Sequence, residues 1–286
     1  MLKSALIMVL GMLCIPLGDA AGKLLSNVHG IEPFFIAWSR FFLGACMFML
    51  LMAGKNLNLK LLLDWRIWLR GSLITGGILS ILTALQTEPI SNVFAAFFIG
   101  PIVSYFGSAL FLGEAITKSR TVLLFIGFCG VLLVVKPGID MSPGMGFAFL
   151  AGVFYGSFLI SSKWLAERAS SRQLLLSQLL VGTILLMPVG VPSMPELGVE
   201  SLLLVLLSAG ASAIGNLLLI IANQREDASK LAPLIYTQLL AATVYGIFIF
   251  NTYPDKWSLL GLGIICFSGF AAFFISRERK SSKISA

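Results

Sequence analysis

Ten uninterrupted apolar runs set the limits on what this chain can fold into. They lie at about 4–26, 34–54, 69–87, 90–112, 119–136, 144–165, 173–191, 201–222, 231–251 and 257–275. A hydrocarbon core about 30 Å thick needs roughly 20 apolar residues of helix, and within it every backbone polar group must bond inside the segment or across a closed barrel. Barrel strands would alternate apolar and polar residues over about ten positions; these runs are continuous and about twice as long. The connections between them leave no room for a soluble domain. Composition agrees: of 286 residues, 58% are hydrophobic and 12% charged, against about 25% charged in a typical soluble domain. The expected fold class is an all-α integral membrane protein with ten transmembrane helices.

The net charge of +7 raises the question of nucleic acid, since basic residues neutralise phosphates. Position answers it. With the amino terminus in the cytoplasm, sixteen of the twenty Lys and Arg fall in cytoplasmic segments, among them Lys55, Lys60, Arg66, Arg70, Lys163, Arg168 and Arg172. Two, Lys136 and Lys256, fall in outer loops, and Lys23 and Arg40 lie within runs. This is the positive-inside pattern with both termini cytoplasmic, and it offers no support for nucleic-acid binding. Lys3, the run 5–17, Gly18 and Ala20 also have the shape of a signal peptide. Cleavage there would leave nine spans and destroy the internal symmetry described next.

A shift of 138 residues places Ser39 and Gly44 on Ser177 and Gly182, and Ala84, Gln86, Glu88 and Ser91 on Ala222, Gln224, Glu226 and Ser229. Each half then holds five spans: 1–137 and 143–276, followed by a basic, disordered cytoplasmic tail at 277–286. Five is odd, so the second half must enter the membrane upside down. The charges agree, because the loop 27–33 has no Lys or Arg while its counterpart 163–172 has three. Inverted repeats of this kind mark secondary transporters, whose site lies near the midplane and whose halves rock in alternating access.

An ionisable residue in a span costs about 2.5–3.5 kcal/mol on insertion scales and is a functional hypothesis by default. Asp19, with Lys23 one turn further out on the same face, and Arg40 on the second run share a depth toward the outer side. Gln178 and Asn216 occupy the mirrored depth in the second half. Two readings stand side by side. Either Asp19 neutralises Arg40 or Lys23 and holds two spans together, or the cluster faces a cavity and binds a charged solute group. If Asp19 lost its cation in one state, burial would favour its protonation and proton coupling would become available. Trp38, Tyr105, Tyr155, Tyr236 and Gln238 are candidate cavity walls, offering a stacking face or a polar handle. Pro16 and Pro101 each remove a backbone hydrogen bond within a run, which is expected to bend it. The glycine pair Gly152 and Gly156 reads as close helix packing.

The remaining chemistry is negative. The single histidine, His29, sits in an outer loop, and Cys14, Cys46, Cys129 and Cys266 are isolated, so no metal site is expected. Asp19 is the sole carboxylate within a run, which argues against an intramembrane protease, and no phosphate-binding glycine loop is present. No cofactor and no enzymatic activity are expected.

The stretch Ala84 to Pro101 followed by Leu112-Gly113-Glu114 resembles the end of the first repeat in the ten-helix, EamA-type branch of the drug/metabolite transporter superfamily. So do Ala232 to Gln238, Tyr253-Pro254-Asp255 and Gly261 to Gly269 in the second half, and Ser39-Arg40-Phe41 in the first. Where the second repeat often carries a pair like Gly113-Glu114, this chain has Phe250-Asn251. The resemblance implies a 5+5 carrier for a small polar or zwitterionic metabolite, such as an amino acid, S-adenosylmethionine or riboflavin. It would work in a bacterial inner membrane, by proton coupling or exchange. A non-transporting scaffold or lipid-handling protein is the alternative, and the sequence leaves room for a homodimer.

Overall fold

The computed structural model describes residues 2–51, 59–113, 116–136, 142–165, 169–225, 234 and 237–284. Among them there is no β-strand. The helices are α1 Leu2–His29, α2 Pro33–Leu51, α3 Trp65–Thr87, α4 Ile90–Phe97, α5 Ile99–Leu112, α6 Lys118–Val135, α7 Pro143–Leu165, α8 Ser171–Gly190, α9 Val199–Arg225, α10 Thr237–Phe250 and α11 Lys256–Ile284. Among the described residues, seven segments are long and apolar enough to cross a membrane, counting α4 with α5 as one; 121–134, 237–250 and 256–271 are shorter apolar helices. Leu50, Leu110, Phe111, Phe248 and Phe267 stand exposed on the outside of the bundle, as side chains facing lipid would.

Several boundaries differ from the apolar runs for identifiable reasons. α3 starts four residues early because the Asp64 carboxylate accepts the Arg66 backbone N–H at 3.0 Å and caps the helix. This draws Arg66 into the helix. The run 90–112 breaks at Phe98, whose N–H turns back to Ala95 and Ala96, so Pro101 lies in the first turn of α5. By contrast, α1 continues through Pro16 as one helix. The tail expected to be disordered continues α11 to Ile284; its Arg, Glu and Lys residues are good helix formers.

Helix association in a membrane relies on close van der Waals packing over small residues. α1 packs on α9 with Gly11 against Gly215, and α6 packs on α11 with Gly130 against Gly261. Contacts also exchange under the 138-residue shift. Gly44 faces Leu179 and Gly182 faces Phe41: each pair becomes the other when both members are shifted. The matched serines behave alike, Ser39 Oγ donating to the Ile36 carbonyl and Ser177 Oγ to that of Leu174, both at 2.9 Å. Asn251, at φ 51°, caps α10 in the left-handed conformation that Gly113, at φ 67°, adopts after α5. The counterpart of Gly113 is therefore Asn251, one of the few non-glycine residues that tolerate this region.

Candidate functional site

Asp19 on α1 and Arg40 on α2 meet where α9 crosses both. Arg40 Nη1 donates to Asp19 Oδ1 at 2.5 Å, Nε donates to Ser208 Oγ at 2.7 Å, and Nη2 donates to the Gly18 carbonyl. Ser208 Oγ in turn donates to the same carbonyl at 2.9 Å. Only 4% of the Arg40 side chain and 6% of the Asp19 side chain are exposed. The pair is thus satisfied inside a seam joining three helices. Gly22 makes the approach possible, since a Cβ there would stand 2.8 Å from Arg40 Nη2. Trp38, half-buried two residues before Arg40, stacks on Phe42 with ring centroids 5.0 Å apart. Its indole N–H is buried without a hydrogen-bond partner among the described residues.

Lys23 does not join this cluster. Its ammonium donates to the Leu85 carbonyl at 2.6 Å and the Glu88 carbonyl at 2.5 Å, and lies 5.5 Å from the Phe250 ring centre. It serves the end of α3, where unpaired carbonyls and the helix dipole favour a cation. Lys23→Met is expected to lower stability by about 1–2 kcal/mol, read as a lowered melting temperature in detergent. Loss of flux at unchanged stability would return Lys23 to the solute site.

The second polar seam lies between α3, α7 and α8. Gln178 meets Arg70, which the charge count had placed with the cytoplasmic loops. Arg70 Nε donates to Ser162 Oγ at 2.9 Å, Nη1 to the Leu174 carbonyl at 2.8 Å, and Nη2 to Gln178 Oε1 at 2.9 Å. The guanidinium carbon sits 4.5 Å from the centre of the Phe158 ring. Arg70 and Ser208 were missed from the sequence, yet a signal existed. The 138-residue shift carries Arg40 onto Gln178 and Arg70 onto Ser208. The Arg40–Ser208 bond and the Gln178–Arg70 bond therefore occupy corresponding places, with the arginine on opposite partners.

The other candidates scatter. Asn216 Nδ2 turns back to the Ser212 carbonyl at 2.8 Å. Gln238 is half-buried in the first turn of α10. Tyr236 lies outside the described residues, as does Glu114. Tyr105 receives the Thr117 N–H at 2.7 Å and braces the start of α6. Tyr155 packs against Phe97 with ring centroids 4.8 Å apart and the rings tilted by 41°, beside the break at Phe98.

The model of the EamA-like transporter family matches twice, over residues 2–136 and 142–274. An S-adenosylmethionine uptake transporter of Rickettsia bellii is 28% identical over 276 residues, 93% of each chain. That of Rickettsia conorii is 29% identical over 273 residues, 92% of this chain and 90% of its own. A riboflavin transporter of Vibrio cholerae is 26% identical over 202 residues, 68% of this chain and 65% of its own. A crystal structure 18% identical to the chain has a TM-score of 0.68, covering 95% of this chain and 98% of the other, which establishes likeness of fold.

Proposed function

The chain belongs to the EamA-like transporter family, and from that premise we propose that it is a secondary active transporter of a small polar or zwitterionic metabolite. An S-adenosylmethionine-type solute comes first, because relatives of that name align over nine-tenths or more of both chains; riboflavin comes second. In this reading ten helices cross a bacterial inner membrane with both termini cytoplasmic, as halves 1–137 and 143–276 of opposite orientation. The protein is a transporter rather than an enzyme, and its partners are the solute and the lipid bilayer; protons and a second copy of the chain are compatible with it.

The observation that carries the proposal is the exchange of seams. The contact of α2 with α9 and that of α8 with α3 are related by the repeat, and each holds a buried arginine. Two related seams on opposite sides of a midplane are what alternating access needs, one parting while the other holds. Asp19, Arg40, Trp38 and Gln178 are the site residues this arrangement favours, with Tyr236, Gln238 and Asn216 retained for the second half. A role for Asp19 in coupling requires Arg40, its hydrogen-bond partner in this state, to leave it.

The lipid-handling alternative draws on a groove of about 220 Å³ between the ends of α1 and α9, lined by Leu24, Val28, Leu203 and Leu207 with His29 and Glu200. Flux separates the two. Proteoliposomes are expected to take up radiolabelled S-adenosylmethionine saturably, faster than protein-free vesicles, and to exchange it against internal solute. If neither S-adenosylmethionine nor riboflavin moves, these substrates are wrong; if lipid is moved instead, the alternative replaces the proposal.

A further inference from the structure

The two seams differ in one respect that matters chemically. Arg40 has a carboxylate, Asp19, on its own half of the chain, and only its bond to Ser208 reaches the other half. Arg70 has three neutral acceptors, and all of them, with the Phe158 ring, belong to the other half. No carboxylate among the described residues pairs with Arg70. Under the 138-residue shift the counterpart of Asp19 is Ser157. The neighbouring charges do not compensate: Arg66 lies one turn away on α3, and Lys163 directly follows Ser162. Asp64 is occupied at the start of α3.

A buried guanidinium without an anion is costly unless its hydrogen bonds hold it. Parting α3 from α7 and α8 would take all three bonds from Arg70 at once, while parting α9 from α2 leaves Arg40 with Asp19. We propose that Arg70 receives the carboxylate of the transported solute on the cytoplasmic side, the anion replacing Ser162, Leu174 and Gln178 when that seam opens. A planar guanidinium suits a carboxylate in a bidentate fork. The proposal rests on the transporter reading and names its substrate class: a solute with a free carboxylate. Arg70 is then both the lock of the closed seam and the binding group of the open one.

The test is binding, read as melting temperature in phosphatidylcholine nanodiscs containing the full-length protein. Two matched pairs serve as probes: S-adenosylmethionine with its decarboxylated form, and methionine with methioninamide. The carboxylated member of at least one pair is expected to stabilise the wild type with a half-saturating concentration about tenfold or more below that of its partner. Arg70→Gln is expected to abolish the preference. If Arg70→Gln does not yield folded protein, Arg70→Lys takes its place. It should raise the half-saturating concentration of the carboxylated probe several-fold and leave that of its partner unchanged. No carboxylate preference in the wild type overturns the proposal, as does a preference that survives in the variant. A parallel arm uses phosphatidylglycerol nanodiscs. An Arg70-dependent stabilisation there without solute, abolishing the response to the probes, assigns the guanidinium to lipid phosphate and also overturns it. Carboxylate binding without flux in proteoliposomes would sink the transporter reading and leave this site standing. Flux without carboxylate preference would do the reverse.

Discussion

Arg40→Met is expected to abolish solute flux and to cost about 3–5 kcal/mol of stability, because it leaves the Asp19 carboxylate buried and unpaired. The double variant Asp19→Leu, Arg40→Met removes both charges and is expected to regain most of that stability, since an apolar replacement of a whole buried pair is often neutral or better. Flux should stay lost. The two variants therefore separate what Arg40 does for folding from what it does for transport. Melting temperature and initial uptake rate, measured on the same preparations, decide the matter. A double variant that recovers both stability and flux would reduce Asp19 and Arg40 to a structural clasp between α1 and α2. A single variant that loses no stability would mean that Asp19 is satisfied without Arg40, and the cost assigned to an unpaired carboxylate would be overturned. The geometry favours the large stability effect: with Arg40 removed, the described residues leave Ser208 as the polar side chain in the seam, and its hydroxyl already donates to the Gly18 carbonyl.

The sequence conveys the helical membrane architecture well because hydrocarbon leaves the backbone few choices. Each apolar run contains a helix, and the differences in boundary come from local chemistry, such as the Asp64 cap and the turn at Phe98. Side-chain partners are harder to read. Asp19 and Lys23 are four residues apart, the spacing at which opposite charges on a helix usually pair. Lys23 instead finds carbonyls 62 and 65 residues away, which no local pattern reveals. Arg70 illustrates the opposite failure. Counting charges by loop treats a residue near a helix start as solvated, whereas α7 and α8 cover this one. The repeat was the better guide, because it aligns Arg40 with Gln178 and Arg70 with Ser208, so that the polar partner of one seam points to its counterpart in the other. It also places Asn251 on Gly113, where the family resemblance had set Phe250-Asn251 against Gly113-Glu114, one residue out of step.

Gly156→Val is expected to lower the flux rate at least tenfold while costing about 1–3 kcal/mol of stability, the usual penalty for overpacking. The reason lies at the broken helix. Pro101 has no N–H to give the Phe97 carbonyl, and that carbonyl lies 2.8 Å from where a Cβ on Gly152 would stand. One turn on, a Cβ at Gly156 would stand 2.6 Å from the Gly100 carbonyl and 2.7 Å from Val103 Cβ. The first of these atoms is backbone and cannot rotate away. A valine at 156 must therefore push α5 from α7. These helices come from different halves, so the displacement acts on the same relative movement that alternating access uses, and transport should suffer more than folding. Gly146→Ala on the same helix is the control: a Cβ there meets nothing within 4 Å, and alanine favours the helix by up to about 1 kcal/mol. It should transport normally and melt no lower than the wild type. If Gly156→Val also transports normally, the α5–α7 contact is static packing, and the movement must pass through the two arginine seams alone.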